Sequence, residues 1–187
     1  ASAYLGALGL TTGLTAYFGI VDVGQVKKGD TVVVSGAAGA VGSVAGQIAR
    51  LSGASKVIGI AGGAHKSKFL VDDLKFDAAI DYKNENVAAR LDELAPDGIN
   101  VFYDNVGGDI LDDVLMRIVE GSRIVICGGI SQYENMDDVR GPKNYMKLAE
   151  RHATMEGFAV FHFAEHYARA EKSLADWLRS GELVVRE

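Results

Sequence analysis

Cysteine is all but missing from this sequence. Cys127 is the only one, so no disulfide can form within the chain, no set of thiolates can build a structural zinc site, and a reducing, cytoplasmic compartment suits it. Proline is almost as scarce, at two residues in 187, and no low-complexity tract or internal repeat marks a linker. Basic runs are absent too. With 19 Lys and Arg against 25 Asp and Glu, the net charge of -6 argues against nucleic acid as the main partner. Two stretches, 1–21 and 31–49, lack charge for nearly the length of a membrane span. The first carries Gly6, Gly9, Gly13 and Gly19 among hydroxyl residues and has no basic region, which predicts a buried helix pair with a break at Thr11-Thr12-Gly13. The second divides into a strand, a turn and a helix. Neither reads as a membrane segment, and 48% hydrophobic with 24% charged residues is an ordinary soluble balance.

The chain is organised around Thr31 to Arg50, TVVVSGAAGAVGSVAGQIAR. Its β-branched opening has the composition of a strand buried on both faces, and it stops at Ser35-Gly36. A turn almost free of side chains follows. Gly39 and Gly42 have the spacing of the last two glycines of a dinucleotide fingerprint, with Ala37 where the first is usual and Gly36 one step earlier. Such a turn lets backbone N–H groups approach a pyrophosphate closely. Val41, Val44, Ala45 and Ile48 then recur at helical spacing, so the positive end of a helix dipole is aimed at the same anion. Small-residue turns also arise for packing alone, and the motif by itself leaves that alternative open.

Elements alternate after the charged turn Lys27-Lys28-Gly29-Asp30. Strands are predicted at Thr31 to Ser35, Lys56 to Ile60, Ala78 to Asp81, Ile99 to Asp104 and Arg123 to Cys127, with helices at Val41 to Leu51, Lys66 to Leu74, Val87 to Leu94 and Ile110 to Ile118. This order describes an α/β, doubly wound parallel sheet of the Rossmann type, with ligand expected at the carboxyl ends of the strands. An NAD-type domain carries an acid at the end of its second strand, where it accepts hydrogen bonds from the ribose hydroxyls. Here Lys56 to Ala61 runs into Gly62-Gly63-Ala64-His65-Lys66-Ser67-Lys68, with no carboxylate before Asp72. The missing acid and the basic Lys66, Lys68 and His65 favour NADP(H) over NAD(H), whereas a solvated lysine face is the plain alternative.

Several further segments share one resemblance. Gly13-Leu14-Thr15-Ala16-Tyr17, Ala37 to Val44, Phe76 to Lys83, Pro96-Asp97-Gly98, Asp104-Asn105-Val106-Gly107-Gly108, Arg123 to Gly128, Ile130 to Tyr133 and Met155-Glu156-Gly157-Phe158 occur in this order across the chain. Together they resemble the nucleotide-binding domain of the medium-chain dehydrogenase/reductase superfamily, in its zinc-independent branch of prostaglandin reductases, alkenal double-bond reductases and curcumin-reductase-like enzymes. The resemblance implies NADPH-dependent reduction of a C=C bond conjugated to a carbonyl, with an α,β-unsaturated ketone or aldehyde as substrate. It also implies a pyrophosphate held by Gly39, Ala40, Val41 and Gly42, and a 2′-phosphate near Lys66 and Tyr82. Asn105 would sit beside the cofactor, Cys127, Gly128, Gly129, Ile130 and Ser131 would line its nicotinamide half, and Phe158, Ala159 and Val160 would complete the cleft. Tyr133 matches the proton donor proposed in some relatives; a phenol with a pKa near 10 can stay protonated until an enolate forms. Asn105 also suits a helix cap, and Tyr82 and Tyr133 also suit a surface.

The departures are equally informative. Thr12 stands where relatives often have proline, and nothing here has the closely spaced short strands of the GroES-like barrel that completes the family's substrate pocket. Residues 1–187 are therefore expected to be a dinucleotide-binding domain excised from a longer two-domain enzyme. An isolated nucleotide-binding module without turnover and a quinone or alcohol oxidoreductase remain the alternatives. His162-Phe163-Ala164-Glu165-His166 satisfies the spelling HxxEH, but Phe158 to Phe163 reads as a strand with a helix starting near Ala164 and running to Arg179, so no metal site is expected. Thr154 to Val160 reads as an edge strand that would join two copies in a homodimer.

Overall fold

The computed structural model describes residues 9–185. Six strands form one parallel sheet: β1 (Thr31–Ser35), β2 (Lys56–Ala61), β3 (Ala78–Asp81), β4 (Ile99–Asp104), β5 (Ile118–Ile126) and β6 (Thr154–Gly157), in the spatial order β3-β2-β1-β4-β5-β6. Alternation along each strand builds two cores. Val32 and Val34 of β1, with Val101 and Tyr103 of β4, face one side, while Val33 and Phe102 face the other. The first side is covered by a helical segment running through Leu10–Leu14, Thr15–Phe18 and Gly19–Val23, by the helix Ala40–Leu51, and by Tyr167–Ser180. The second side is covered by Val87–Leu94 and Gly108–Leu115 through Leu91, Val114 and Leu115. We number the helices α1 (Thr15–Phe18), α2 (Ala40–Leu51), α3 (Ala64–Asp72), α4 (Val87–Leu94), α5 (Gly108–Leu115), α6 (Met146–Glu150) and α7 (Tyr167–Ser180).

The doubly wound parallel sheet is as the sequence predicts; its boundaries differ in instructive places. No break interrupts Thr11-Thr12-Gly13: the chain is π-helical over Leu10–Leu14, α-helical in α1 and π-helical again over Gly19–Val23. Thr12 is buried there, and burial outweighs the weak helix propensity of Thr and Gly. The rest of the expected helix pair, 1–8, lies outside the described residues. Ile118 shares the apolar face predicted for α5, yet it opens β5 opposite Ile99, because the chain turns at Met116-Arg117. The predicted strand at Phe158 to Phe163 is a correction as well. β6 ends at Gly157, and Val160–His166 is a 3-10 turn whose Phe163 stacks on Phe18 at 4.7 Å and 7°. Its kink at Phe163, and the start of α7 only at Tyr167, keep His162 and His166 off a common helix face.

β1 and β4 are neighbours whose crossover helices lie on opposite faces of the sheet. Their carboxyl ends, Ser35 and Asp104, therefore flank the switch point where such a sheet opens a crevice.

Candidate active site

A cleft of about 1070 Å³ opens at these carboxyl ends. Its floor is the turn after β1. Gly36 takes φ +57, Ala37 donates its N–H to Ile60 O at 3.0 Å, and Gly39 donates to Gly36 O at 2.9 Å. α2 then starts without a side-chain cap, leaving its first-turn donors and positive dipole end to the cleft lined by Ala40, Val41 and Gly42. Gly42 is what allows the helix so close. A Cβ at this position would lie 2.4 Å from Gly36 O and 2.8 Å from Ala37 Cα, both backbone atoms.

The end of β4 is fixed by a buried carboxylate. Asp104 Oδ1 accepts the Ser35 hydroxyl at 2.7 Å and the Val106 and Gly107 N–H groups at 2.9 and 3.0 Å. Burial raises this carboxyl above the usual range, and the Gly107, Ser35 and Val106 donors oppose the shift. Asn105 is held by the same node: its N–H donates to Ser35 Oγ at 2.8 Å and its amide Nδ2 to Ser35 O at 2.7 Å. The main-chain oxygen of Asp104 accepts from Cys127 and Gly128, at 2.9 and 3.1 Å, so the segment after β5 hangs from the same residue.

That segment forms another wall. Burial pushes the Cys127 thiol up, so it remains a protonated, packed group beside the Tyr103 hydroxyl, which donates to Thr15 O at 3.2 Å. Ser131 donates its N–H and its hydroxyl to Val106 O, at 3.2 and 2.5 Å. Tyr133 is 58% exposed, and its Oη accepts the Gly129 N–H at 3.2 Å.

Opposite lie the ends of β2 and β3. Lys66 and Tyr82 both line the cleft; among the described residues Lys66 makes no ion pair, whereas Lys68 is engaged by Asp72 at 2.7 Å. Asp81 Oδ1 accepts the Gly63 N–H at 2.6 Å, and Oδ2 accepts Asn84 Nδ2 at 2.7 Å. The Asn84 amide, then the Gly63 N–H, hold the Asp81 carboxyl below the usual range.

Residues 40–177 match the family model for a zinc-binding dehydrogenase. This chain belongs to the zinc-binding dehydrogenase family. Within it the chain falls in the zinc-independent branch of the medium-chain dehydrogenase/reductase superfamily. YfmJ of Bacillus subtilis (strain 168) is 48% identical over 190 residues, covering 100% of this chain and 56% of that protein. The 2-alkenal reductase (NADP(+)-dependent) of Nicotiana tabacum is 40% identical over 187 residues, covering 100% of this chain and 54% of the tobacco protein. Among solved structures, CurA of Vibrio vulnificus in complex with NADPH superposes with a TM-score of 0.92 at 40% identity, over 99% of this chain and 56% of that one. The chain thus spans about half the length of these relatives.

Of the residues singled out from sequence, this zinc-binding dehydrogenase domain brings Gly39, Ala40, Val41, Gly42, Lys66, Tyr82, Asn105, Cys127, Gly128, Ile130, Ser131 and Tyr133 onto one cleft. Gly129 reaches it through its N–H bond to Tyr133. Phe158, Ala159 and Val160 are not on the wall. The Phe158 ring packs against Gly19 and edge-on to Phe163 at 6.1 Å, and Val160 packs on the first core. Among the described residues no three His, Cys, Asp or Glu are grouped so as to hold a metal ion, and His162 Nδ1 instead accepts the Ala159 N–H at 3.2 Å. Sequence reasoning passed over Thr11, Thr15, Val106 and Ile110 on the wall, and the nodes at Asp81 and Asp104. The one available signal was an acid at the end of each of two buried strands, where an unpaired charge is costly.

Proposed function

We propose that this chain is the cofactor-binding half of an NADPH-dependent oxidoreductase that reduces the C=C bond of α,β-unsaturated ketones or aldehydes. The observation that carries the reading is the uncapped start of α2, seated by Gly42 where a side chain would collide, sharing one cleft with unpaired Lys66. Close amides suit a pyrophosphate, and a cation across the same cleft suits an additional phosphate. The NADP(+)-dependent alkenal reductase and the NADPH complex among the relatives agree with it.

In this reading Gly39, Ala40, Val41 and Gly42 hold the pyrophosphate, Lys66 and Tyr82 hold the 2′-phosphate, and Asn105 with Cys127 to Ser131 borders the nicotinamide. Phe158, Ala159 and Val160 support the wall from behind. When bound, NADPH supplies the hydride delivered to the β-carbon of the substrate. The proton for the α-carbon comes from Tyr133: its oxygen accepts from the Gly129 N–H, which leaves the hydroxyl hydrogen free to be donated.

Two copies pair through β6, which stands at the edge of the sheet with one side unpaired among the described strands. The assembly works in the cytoplasm, where the single thiol of each copy stays reduced. Mixing the protein with NADPH and a simple enone tests the chemistry: steady loss of reduced-cofactor absorbance is expected. Binding without oxidation would leave a nucleotide-binding module, and faster turnover of a quinone would reassign the substrate. A monomeric mass by light scattering would contradict the β6 pairing.

A further inference from the structure

At the end of β2, where an NAD-type domain carries its ribose-binding acid, the strand has none of its own, yet a carboxylate arrives there from its neighbour β3. Asp81 closes β3 opposite Ala61, the last residue of β2, and its side chain is buried. Its oxygens are already occupied: Oδ1 by the N–H groups of Gly63 and Lys83, at 2.6 and 3.1 Å, and Oδ2 by Asn84 Nδ2 at 2.7 Å. A carboxylate so engaged has little capacity left for a ribose diol, and the three donors offset its charge toward a nearby phosphate.

We propose that Asp81 is the positioning residue for NADPH-over-NADH selectivity: it clamps the loop after β2 to the loop after β3 and so fixes Lys66 and Tyr82 on one wall. Both arms of the clamp are bonded on to those residues. Gly63, at φ +98, is the N-cap of α3, and its carbonyl accepts the Lys66 and Ser67 N–H groups at 3.0 and 3.2 Å. On the other arm the Tyr82 N–H donates to Ala61 O at 3.1 Å. The Tyr82 ring and the Lys83 stem lie over Gly62 so closely that a Cβ there would come within 2.9 Å of Tyr82 Cε1 and 3.0 Å of Lys83 Cε. Without the carboxylate, Gly63 and Lys83 lose their shared acceptor and the two loops are free to part.

The inference rests on reading this cleft as an NADPH seat, and the two are separable by calorimetric titration of the chain with NADPH and NADH. Wild type must bind NADPH more tightly; equal affinities or no binding would overturn the cofactor reading before any variant is made. Given that preference, Asp81→Ala is expected to shrink the NADPH:NADH affinity ratio by about tenfold, the scale of one charge-assisted hydrogen bond, mainly by weakening NADPH. Asp81→Asn keeps an oxygen for Gly63 and Lys83, and the Asn84 amide can turn to meet its new NH₂, so its ratio is expected to stay within about threefold of wild type. General loosening would lower both affinities alike; an unchanged ratio in Asp81→Ala therefore overturns the proposal. A ratio that grows, through selective loss of NADH, would make Asp81 a ribose acceptor and overturn it too. If Asp81→Ala fails to show a cooperative melt, Asp81→Ser places its only oxygen one bond short of the Oδ1 position that the Gly63 and Lys83 N–H groups share. A ratio reduced by more than about threefold is then expected, and an unchanged one refutes the clamp.

Discussion

Replacing Gly42 by alanine tests the seat of the pyrophosphate at its tightest contact. The added methyl would sit 2.4 Å from Gly36 O, 2.8 Å from Ala37 Cα and 3.0 Å from Gly36 C, all backbone atoms that no rotamer change can move aside. Carbon and oxygen need at least about 3.2 Å, so the start of α2 must retreat by close to 1 Å from the turn it packs on. Overpacking of this kind costs about 1–3 kcal/mol, which for a chain of this size lowers Tm by roughly 4–8 °C at the middle of that range. The same retreat carries the first-turn N–H groups away from the anion, so NADPH affinity is expected to fall at least about tenfold. Gly39→Ala is the matched control. Its backbone, at φ -79 and ψ 174, is open to any residue, and its Cβ meets only Gly36 O at 3.2 Å. It is expected to melt within about 2 °C of wild type, because a few tenths of an ångström suffice to relieve it. Differential scanning calorimetry with and without NADPH reads both terms. A Gly42→Ala protein that melts and binds like wild type would refute the close-packing argument.

Other expectations concern charge. Lys66→Ala should narrow the gap between NADPH and NADH by about 1–2 kcal/mol, measured by fluorescence titration, and NADH affinity should barely move. Asp104→Asn should change the pH dependence of stability. Burial raises the Asp104 carboxyl, so wild type loses that contribution as pH rises through the folded value, while the neutral amide removes the dependence. The difference in Tm between variant and wild type should therefore move in the variant's favour from acid toward neutral pH, and a difference independent of pH would contradict it.

What the sequence discloses depends on how local the cause is. β1, the glycine turn and α2 are legible because strand composition, turn chemistry and helical period each act within 20 consecutive residues, Thr31 to Arg50. Lys66 stands out for a similar reason, since an absent acid and a present cation lie side by side in the chain. The nodes at Asp104 and Asp81 stay hidden, because their partners come from elsewhere: Ser35 is 69 residues from Asp104, and Gly63 is 18 from Asp81. The reading that no carboxylate attends the end of β2 holds along the chain and fails in space. Phe158 to Phe163 illustrates tertiary override, since an aromatic-rich run has strand composition yet turns into a 3-10 segment from Val160 onward, which stacks Phe163 on Phe18. Ile118 lies in the second core whichever element carries it, so its hydrophobic period could not distinguish the end of a helix from the start of β5.

The central claim is that the turn between β1 and α2 seats a dinucleotide diphosphate. A crystal of the chain soaked with NADPH measures this most directly. The diphosphate is expected over the amides of Ala40 to Gly42, with the 2′-phosphate within hydrogen-bonding reach of Lys66 Nζ. A bound cofactor whose phosphates lie away from that turn, or a cleft that stays empty at saturating NADPH, would contradict it.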